Sequence, residues 1–208
     1  TYNTSNGLPS NTVASILEAS DGTMWFGTPN GLAGFSRGGW RTYTTGDGLP
    51  SNDINVLFQD RMGVILVGTA SGVAIVERGR VRPVRTAAAG LQGSILGFAD
   101  DRGGSLWITA VDRVLRVDRA ALLNDVLQHG DVREYGVADG LLGVESVKRH
   151  RILVTDSIGR VWFALSRGLS VADPSRADVR GQPAITLVEQ MTADGAQVDV
   201  HGPIRIPS

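Results

Sequence analysis

Short apolar runs separated by Gly, Asn and Asp recur along the whole chain. Residues 12–18, 24–27, 32–35 and 40–44 make a first set of four, and 53–59, 64–68, 73–77 and 80–84 a second. A third set has 94–99, 105–109 and 114–117, and a fourth has 132–137, 148–155, 161–164 and 169–171. The runs are short, rich in β-branched and aromatic residues, and bounded by turn formers, which predicts strands. Residues 118–130 break the pattern. Asp118 is placed to cap a helix, apolar residues follow at helical spacing, and Gly130 is placed to end it.

The sets are copies of one unit. Asn6-Gly-Leu-Pro-Ser-Asn11 leads to Asp21-Gly-Thr-Met-Trp-Phe-Gly-Thr28 and Asn30-Gly-Leu32. Asp47-Gly-Leu-Pro-Ser-Asn52, Gly63-Val-Ile-Leu-Val-Gly-Thr69 and Ser71-Gly-Val73 repeat it 41 residues later. Gly90-Leu91 with Gly104-Ser-Leu-Trp107, and Gly140-Leu141 with Gly159-Arg-Val-Trp162, are looser copies. Gly22, Gly63, Gly104 and Gly159 stand three residues before Trp25, Leu66, Trp107 and Trp162, and Gly31, Gly72, Arg113 and Gly168 stand six residues after them. A period near forty with four strands per unit is the signature of β-propeller blades. Blades are expected at about 1–41, 42–81, 82–132 and 133–177, with the helix inserted before the outer strand of the third. Trp25, Trp107 and Trp162 recur with the blade and are expected in its core, and Trp40 is expected at the surface. Gly31, Gly72 and Gly168 are expected at positive φ, and Arg113 in a turn of different build.

After a linker at 178–182 the repeat is gone. Residues 185–191 and 197–200, around Asp194-Gly195, read as a hairpin that opens a second β domain. Standing alone, four such blades would leave the faces of the first and the fourth uncovered, so they read as an arc of a larger propeller. The chain reads as an excerpt of a longer protein, since Thr1 falls inside a repeat and Ser208 inside the new domain.

Composition narrows the function. The formal net charge is −1, with charges evenly spread, so nothing points to nucleic acid. There is no Cys, hence no disulfide or thiolate metal site, and no apolar run of membrane-spanning length. Three scattered His and no phosphate loop leave no nucleophile–base pair, and no cofactor is expected. The Asp-x-x-Gly turns have too few carboxylates for calcium and read as hairpin turns. Lys148-Arg-His-Arg151 reads as a solvated strand end, His129 as a helix C-terminal cap, and His201 lies in the tail.

In a propeller the outer-to-inner and second-to-third connections share one face. Here that face carries Ser10, Asn11, Asn30, Ser51, Asn52, Ser71, Arg113 and Arg167, beside Pro9, Pro29, Pro50 and Ser166. These residue types close Asx and Ser turns, which accounts for them without a ligand. The alternative is a site for a small molecule or oligosaccharide at a funnel mouth.

The Gly-Leu-Pro-Ser-Asn and Asp-x-x-Gly-x-x-Trp-Phe-Gly-Thr motifs, with the Gly-Leu that follows, resemble the two-component regulator propeller family. Residues 159–174 resemble its terminal blade, and 183–208 the opening of its immunoglobulin-like domain. The resemblance implies an all-β chain, four four-stranded blades and then the first strands of an immunoglobulin-like sandwich. It implies an extracytoplasmic sensor region of a membrane-bound, homodimeric histidine kinase, non-catalytic in itself, with the membrane reached through flanking segments. A passive propeller scaffold or dimerisation module, or the sensor of a diguanylate cyclase, are the alternatives. The third unit departs from the pattern with Thr109-Ala110 and Arg113, and the first has Ala19 where the others have Asp60, Asp101 and Asp156.

Overall fold

A computed structural model of the chain describes residues 1–85, 90–141, 143–146, 152–177, 191–193 and 196–198. It divides into two compact units, Thr1–Arg176 and Ala177–Ser208. The first unit is built almost entirely of antiparallel sheets. Sheet one runs β1 (Ser15–Glu18), β2 (Met24–Thr28), β3 (Gly31–Ser36) and β4 (Gly39–Tyr43) in order. Sheet two repeats this with β5 (Ile54–Gln59), β6 (Ile65–Thr69), β7 (Gly72–Glu77) and β8 (Arg80–Pro83). Sheet three contains β9 (Ile95–Asp100), β10 (Ser105–Ala110), β11 (Val114–Asp118) and β12 (Val132–Tyr135). The fourth has β13 (Leu153–Thr155), β14 (Val161–Leu165) and β15 (Gly168–Ala172), followed by a short helix, Pro174–Ala177. The chain is all-β, in propeller blades.

Three expectations are corrected. β12 pairs with β11 through Val114↔Tyr135 and Val117↔Val132, so the run at 132–137 belongs to the third sheet. The fourth sheet therefore has three strands among the described residues, where four were expected. The helix expected over 118–130 spans only Arg119–Leu123. Asp118 caps it as expected, with Oδ1 accepting from Ala121 N at 2.7 Å, but Asp125 turns left-handed at φ 59° and stops it. His129 then opens a separate 3-10 turn, His129–Asp131, and is not a helix cap.

Packing between successive sheets makes three apolar clusters. Trp25, Leu32, Tyr43 and Ile54 join sheets one and two; Leu66, Ile75, Phe98, Leu106 and Leu115 join two and three. Trp107, Tyr135, Val161 and Phe163 join three and four, with Trp107 fully buried. Leu122, from the short helix, closes the middle cluster. Trp25 is buried as expected, but Trp162 is only half-buried. Trp40 is also half-buried, under Tyr2 and Gly7 and against Phe35 at 4.8 Å between ring centres.

Gly31, Gly72 and Gly168 have φ of 134°, 135° and 140°, as expected, and Arg113 has no positive φ. At Gly31 the reason is double. The backbone is left-handed, and a Cβ would stand 2.6 Å from Tyr43 O.

In the second unit, β16 (Met191–Ala193) and β17 (Ala196–Val198) pair antiparallel, Met191↔Val198 to Ala193↔Ala196. The linker at 178–182, the rest of the tail with His201 and Asp194-Gly195, and the basic cluster 148–151 lie outside the described residues.

Candidate functional site

The repeated motif at the start of each unit is a self-closing turn. Thr4–Asn6 and Thr45–Asp47 are 3-10 turns that end on Gly7 and Gly48 at φ 114° and 111°. Asn11 Oδ1 accepts from Thr4 N at 3.0 Å, and Asn52 Oδ1 from Thr45 N at 2.8 Å. Ser10 Oγ accepts from Thr12 N and Ser51 Oγ from Asp53 N, both at 3.1 Å. The β2–β3 and β6–β7 turns are built just as locally. Thr28 Oγ1 accepts from Asn30 N at 3.2 Å and donates to Gly31 O at 2.7 Å. Thr69 does the same with Ser71 N at 3.1 Å and Gly72 O at 2.9 Å. In the third unit Ala110 lacks the hydroxyl, and Arg113 instead forms a bidentate pair with Asp112, 2.8 Å for each bond. That pair holds the exposed Asp112 carboxyl below its ordinary pKa.

The eight candidate residues come together locally, unit by unit. Asn30 Nδ2 donates to Pro9 O at 3.3 Å, beside Ser10 and Asn11. Ser71 and Pro50 line one hollow of about 560 Å³ with Arg85 and Gln92. Arg113 lies against Gly90, and the exposed Arg167 lays its stem against Gly143. Each second-to-third turn thus rests on the first turn of its own unit.

At the other end of the inner strands, carboxylates organise the β1–β2-type turns. Asp101 Oδ1 accepts from Gly103 N and Ser105 N at 2.8 and 2.9 Å, and its Oδ2 from Trp107 Nε1 at 3.0 Å and Arg116 Nε at 3.1 Å. Asp156 Oδ1 likewise accepts from Ile158 N and Arg160 N, and its Oδ2 from Trp162 Nε1 at 2.8 Å and Arg160 Nε at 2.7 Å. The indole bond, then the Arg160 bonds, hold the Asp156 carboxyl well below the usual range. Where Leu66 replaces Trp, Asp60 keeps its two turn N–H groups and gives Oδ2 to Arg119 Nη1 at 2.8 Å. Where Ala19 replaces Asp, the buried Trp25 Nε1 has no partner. The Asp and Trp six residues apart form one device, and sequence reasoning missed it. The fixed spacing at 101/107 and 156/162 was its signal.

The inner strands β1, β5, β9 and β13 line an open hollow of about 700 Å³. Links between neighbouring sheets gather at its carboxylate end. Gln59 Oε1 accepts from Ser20 N at 3.0 Å. Arg61 Nε pairs with Asp100 Oδ2 at 3.0 Å, and its Nη2 donates to Asp101 O at 2.8 Å. Thr155 Oγ1 donates to Asp100 O at 2.6 Å, and Arg102 Nη2 donates to Ser157 O. Burial pushes the Asp100 carboxyl above its ordinary pKa, against the pull of Arg61. Arg61, Asp100 and Arg102 were not among the expected site residues; the only signal was Arg after Asp at 60–61 and 101–102.

The model of the two component regulator propeller repeat matches residues 7–30, which hold the first Gly-Leu-Pro-Ser-Asn turn and Trp25. The likeness to that family rests on this one repeat. The chain aligns with the extracellular domain of BT3049 from B. thetaiotaomicron, described as a hybrid two component system, at TM-score 0.70 and 19% identity. That alignment covers 85% of this chain and 24% of the other. The extracellular domain of BT4673 from the same organism, described as a one component system, aligns at TM-score 0.65 and 23% identity, covering 78% and 24%. The computationally designed Ika8 protein aligns at 0.52 and 17%, covering 77% and 45%. The chain thus spans about a quarter of the two sensor-type chains, and these likenesses concern the fold. No curated protein matches it. Among the described residues no helix is long and apolar enough to cross a membrane, and no three His, Asp or Glu gather as a metal set.

Proposed function

We propose that the chain is the ligand-sensing propeller segment of a membrane-bound two-component sensor histidine kinase. It lies on the extracytoplasmic side and relays occupancy by a small molecule or oligosaccharide to phosphorelay signalling, as part of a homodimer. The segment itself does no chemistry. One observation supports this reading above the others: the blades of Thr1–Arg176 align over 85% of the chain with an extracellular domain of a two component system. A stack of sheets with an open hollow along its inner strands suits a receptor, which must hold a site in place and pass on a change at its edges.

A scaffold or dimerisation module is the second reading. It is favoured by the outward face of the fourth sheet, where Val154, Leu169 and Val171 are 45%, 59% and 49% exposed.

Protease added to intact cells, then to cells with a permeabilised outer envelope, tests the sensor placement in the full-length protein. The propeller is expected to be cleaved once the envelope is opened and before the cytoplasm is released. Protection until the inner membrane is broken would overturn it.

A further inference from the structure

Each of the first three sheets turns one set of side chains toward the sheet that follows. Leu17, Trp25 and Leu32 of sheet one pack with Leu57, Val67 and Val76 of sheet two. Phe58, Leu66 and Val73 hold the same places in sheet two and pack with Phe98, Ile108 and Val117 of sheet three. Ala99, Trp107 and Val114 then pack with Leu153, Phe163 and Ala172 of sheet four. Val154, Trp162 and Leu169 are the fourth such set, and they belong to none of the three clusters. Val154 and Leu169 are 45% and 59% exposed. Sheet one carries the other half of the contact on its second face. Ile16, Phe26 and Phe35 stand where sheet two has Leu57, Val67 and Val76, and Ile16 is 56% exposed.

The outer strands obey the same rule. β4 sets Tyr43 opposite Leu32, and β12 sets Tyr135 opposite Val114. Their rings lie 5.8 Å from Trp25 and 4.9 Å from Trp107. Sheet two has Leu66 in place of Trp, and there Val84 takes the Tyr position, its N–H donating to Val73 O at 2.9 Å. Tyr thus accompanies Trp. Sheet four has Trp162, with Leu169 at the Val73 position, but no outer strand flanks β15 among the described residues. Each outer strand leads through a 3-10 turn into the next sheet: Tyr43 precedes Thr45–Asp47, and Tyr135 precedes Val137–Asp139. Tyr2 precedes Thr4–Asn6 in the same way and is 58% exposed. Its ring lies 5.5 Å from both Phe35 and Trp40, on the second face of sheet one. Tyr2 is therefore the outer-strand Tyr of whichever sheet lies under sheet one.

We infer that sheet four of one copy receives sheet one of a second copy, with the second copy's Tyr2 opposite Leu169 and against Trp162. The two faces are the two halves of a contact that the chain already makes three times within itself, so another copy fits both. Sheet four against sheet four would oppose two like faces and leave both Trp162 rings without a Tyr strand. A head-to-tail contact either closes or grows into a filament. Four sheets from each copy fall within the four to eight blades of closed propellers, so two copies close on each other. This gives the homodimer of the proposed function its surface, and it rests on that reading for its biological role alone.

Sedimentation velocity of the full chain measures the pairing. A dimer is expected, and Leu169→Lys and Ile16→Glu, both at exposed positions, should each weaken it at least tenfold. Mixing the two variants should restore a dimer, because one contact is then unaltered and the other opposes Lys to Glu. The chain has no Cys, and residues opposite each other on antiparallel strands stand within disulfide reach. Tyr2→Cys chains mixed with Leu169→Cys chains should therefore cross-link, whereas Ser36→Cys, in an exposed turn, should not link to Leu169→Cys. The pairing is overturned if the parent chain stays monomeric, if Ile16→Glu dimerises as well as the parent, or if Leu169→Cys links only to itself. A monomer whose Leu169 and Val171 amides resist hydrogen exchange would also overturn it, with residues 177–208 as the cover. Any of these results leaves the extracytoplasmic placement standing. Failure of that placement would instead sink the sensor reading and leave the dimer intact.

Discussion

Single residues carry two accounts that melting curves can separate. Ala19 sits where three other units have Asp, and the buried indole of Trp25 is left without an acceptor. Ala19→Asp should restore the bond seen at Trp107 and raise stability by about 1 kcal/mol, the net worth of a typical hydrogen bond. Asp101→Ala should cost about 3–5 kcal/mol, because it breaks the buried pair with Arg116 and takes the acceptor from the Trp107 indole and two turn N–H groups. Matching changes of the same sign in the two variants would undo the assignment. Asp100 gives a test in pH. Its carboxyl is raised, first by burial, so the folded state holds this proton more tightly than the unfolded one. Its contribution is therefore present at acid pH and is lost as pH rises from the ordinary carboxylate range through the raised value. Thermal melts across that window should show a fall in the parent protein that is absent in Asp100→Asn. An identical pH profile in both would remove the perturbed carboxyl from the account.

At the scale of the elements, the split between packing and turn positions can be measured. Trp107 is fully buried between the third and fourth sheets, and Trp107→Ala should cost about 3–5 kcal/mol. Asn30 is exposed and makes one 3.3 Å side-chain bond to Pro9 O, so Asn30→Ala should cost under about 1 kcal/mol. Equal losses in denaturant titrations would contradict that division. The strands were readable because their apolar runs and the glycines at 31, 72 and 168 repeat at fixed offsets, and the backbone answers with φ near 135° at each. The helix was misjudged in length. Apolar spacing over 118–130 continued the pattern, yet Asp125 adopts a left-handed backbone that sequence did not announce. The outer strand at 132–135 was credited to the wrong sheet because the insertion hid its partner, β11, behind the helix. The candidate turn residues were legible as turn formers, and their hydrogen bonds stay within each unit. The Arg61–Asp100 pair was not legible, since it depends on neighbouring sheets bringing together residues far apart in sequence.

For the whole molecule, successive sheets cover one another through three apolar clusters, whereas the fourth sheet's outward face shows Val154, Leu169 and Val171 in neighbouring rows. The isolated 208-residue chain should therefore self-associate with concentration, and Leu169→Lys should shift it toward monomer. Light scattering that finds one concentration-independent monomer for the parent chain would contradict this. The sensor account makes a stronger demand. A receptor propeller must control an output that it does not contain, so the decisive quantity is signalling by the intact membrane protein. Autophosphorylation in membrane vesicles, with candidate ligands supplied only on the propeller side, measures it directly. The account predicts a ligand-dependent change in phosphorylation that disappears when the blades at 1–177 are removed. Phosphorylation that is indifferent to every ligand and to loss of the blades would contradict it.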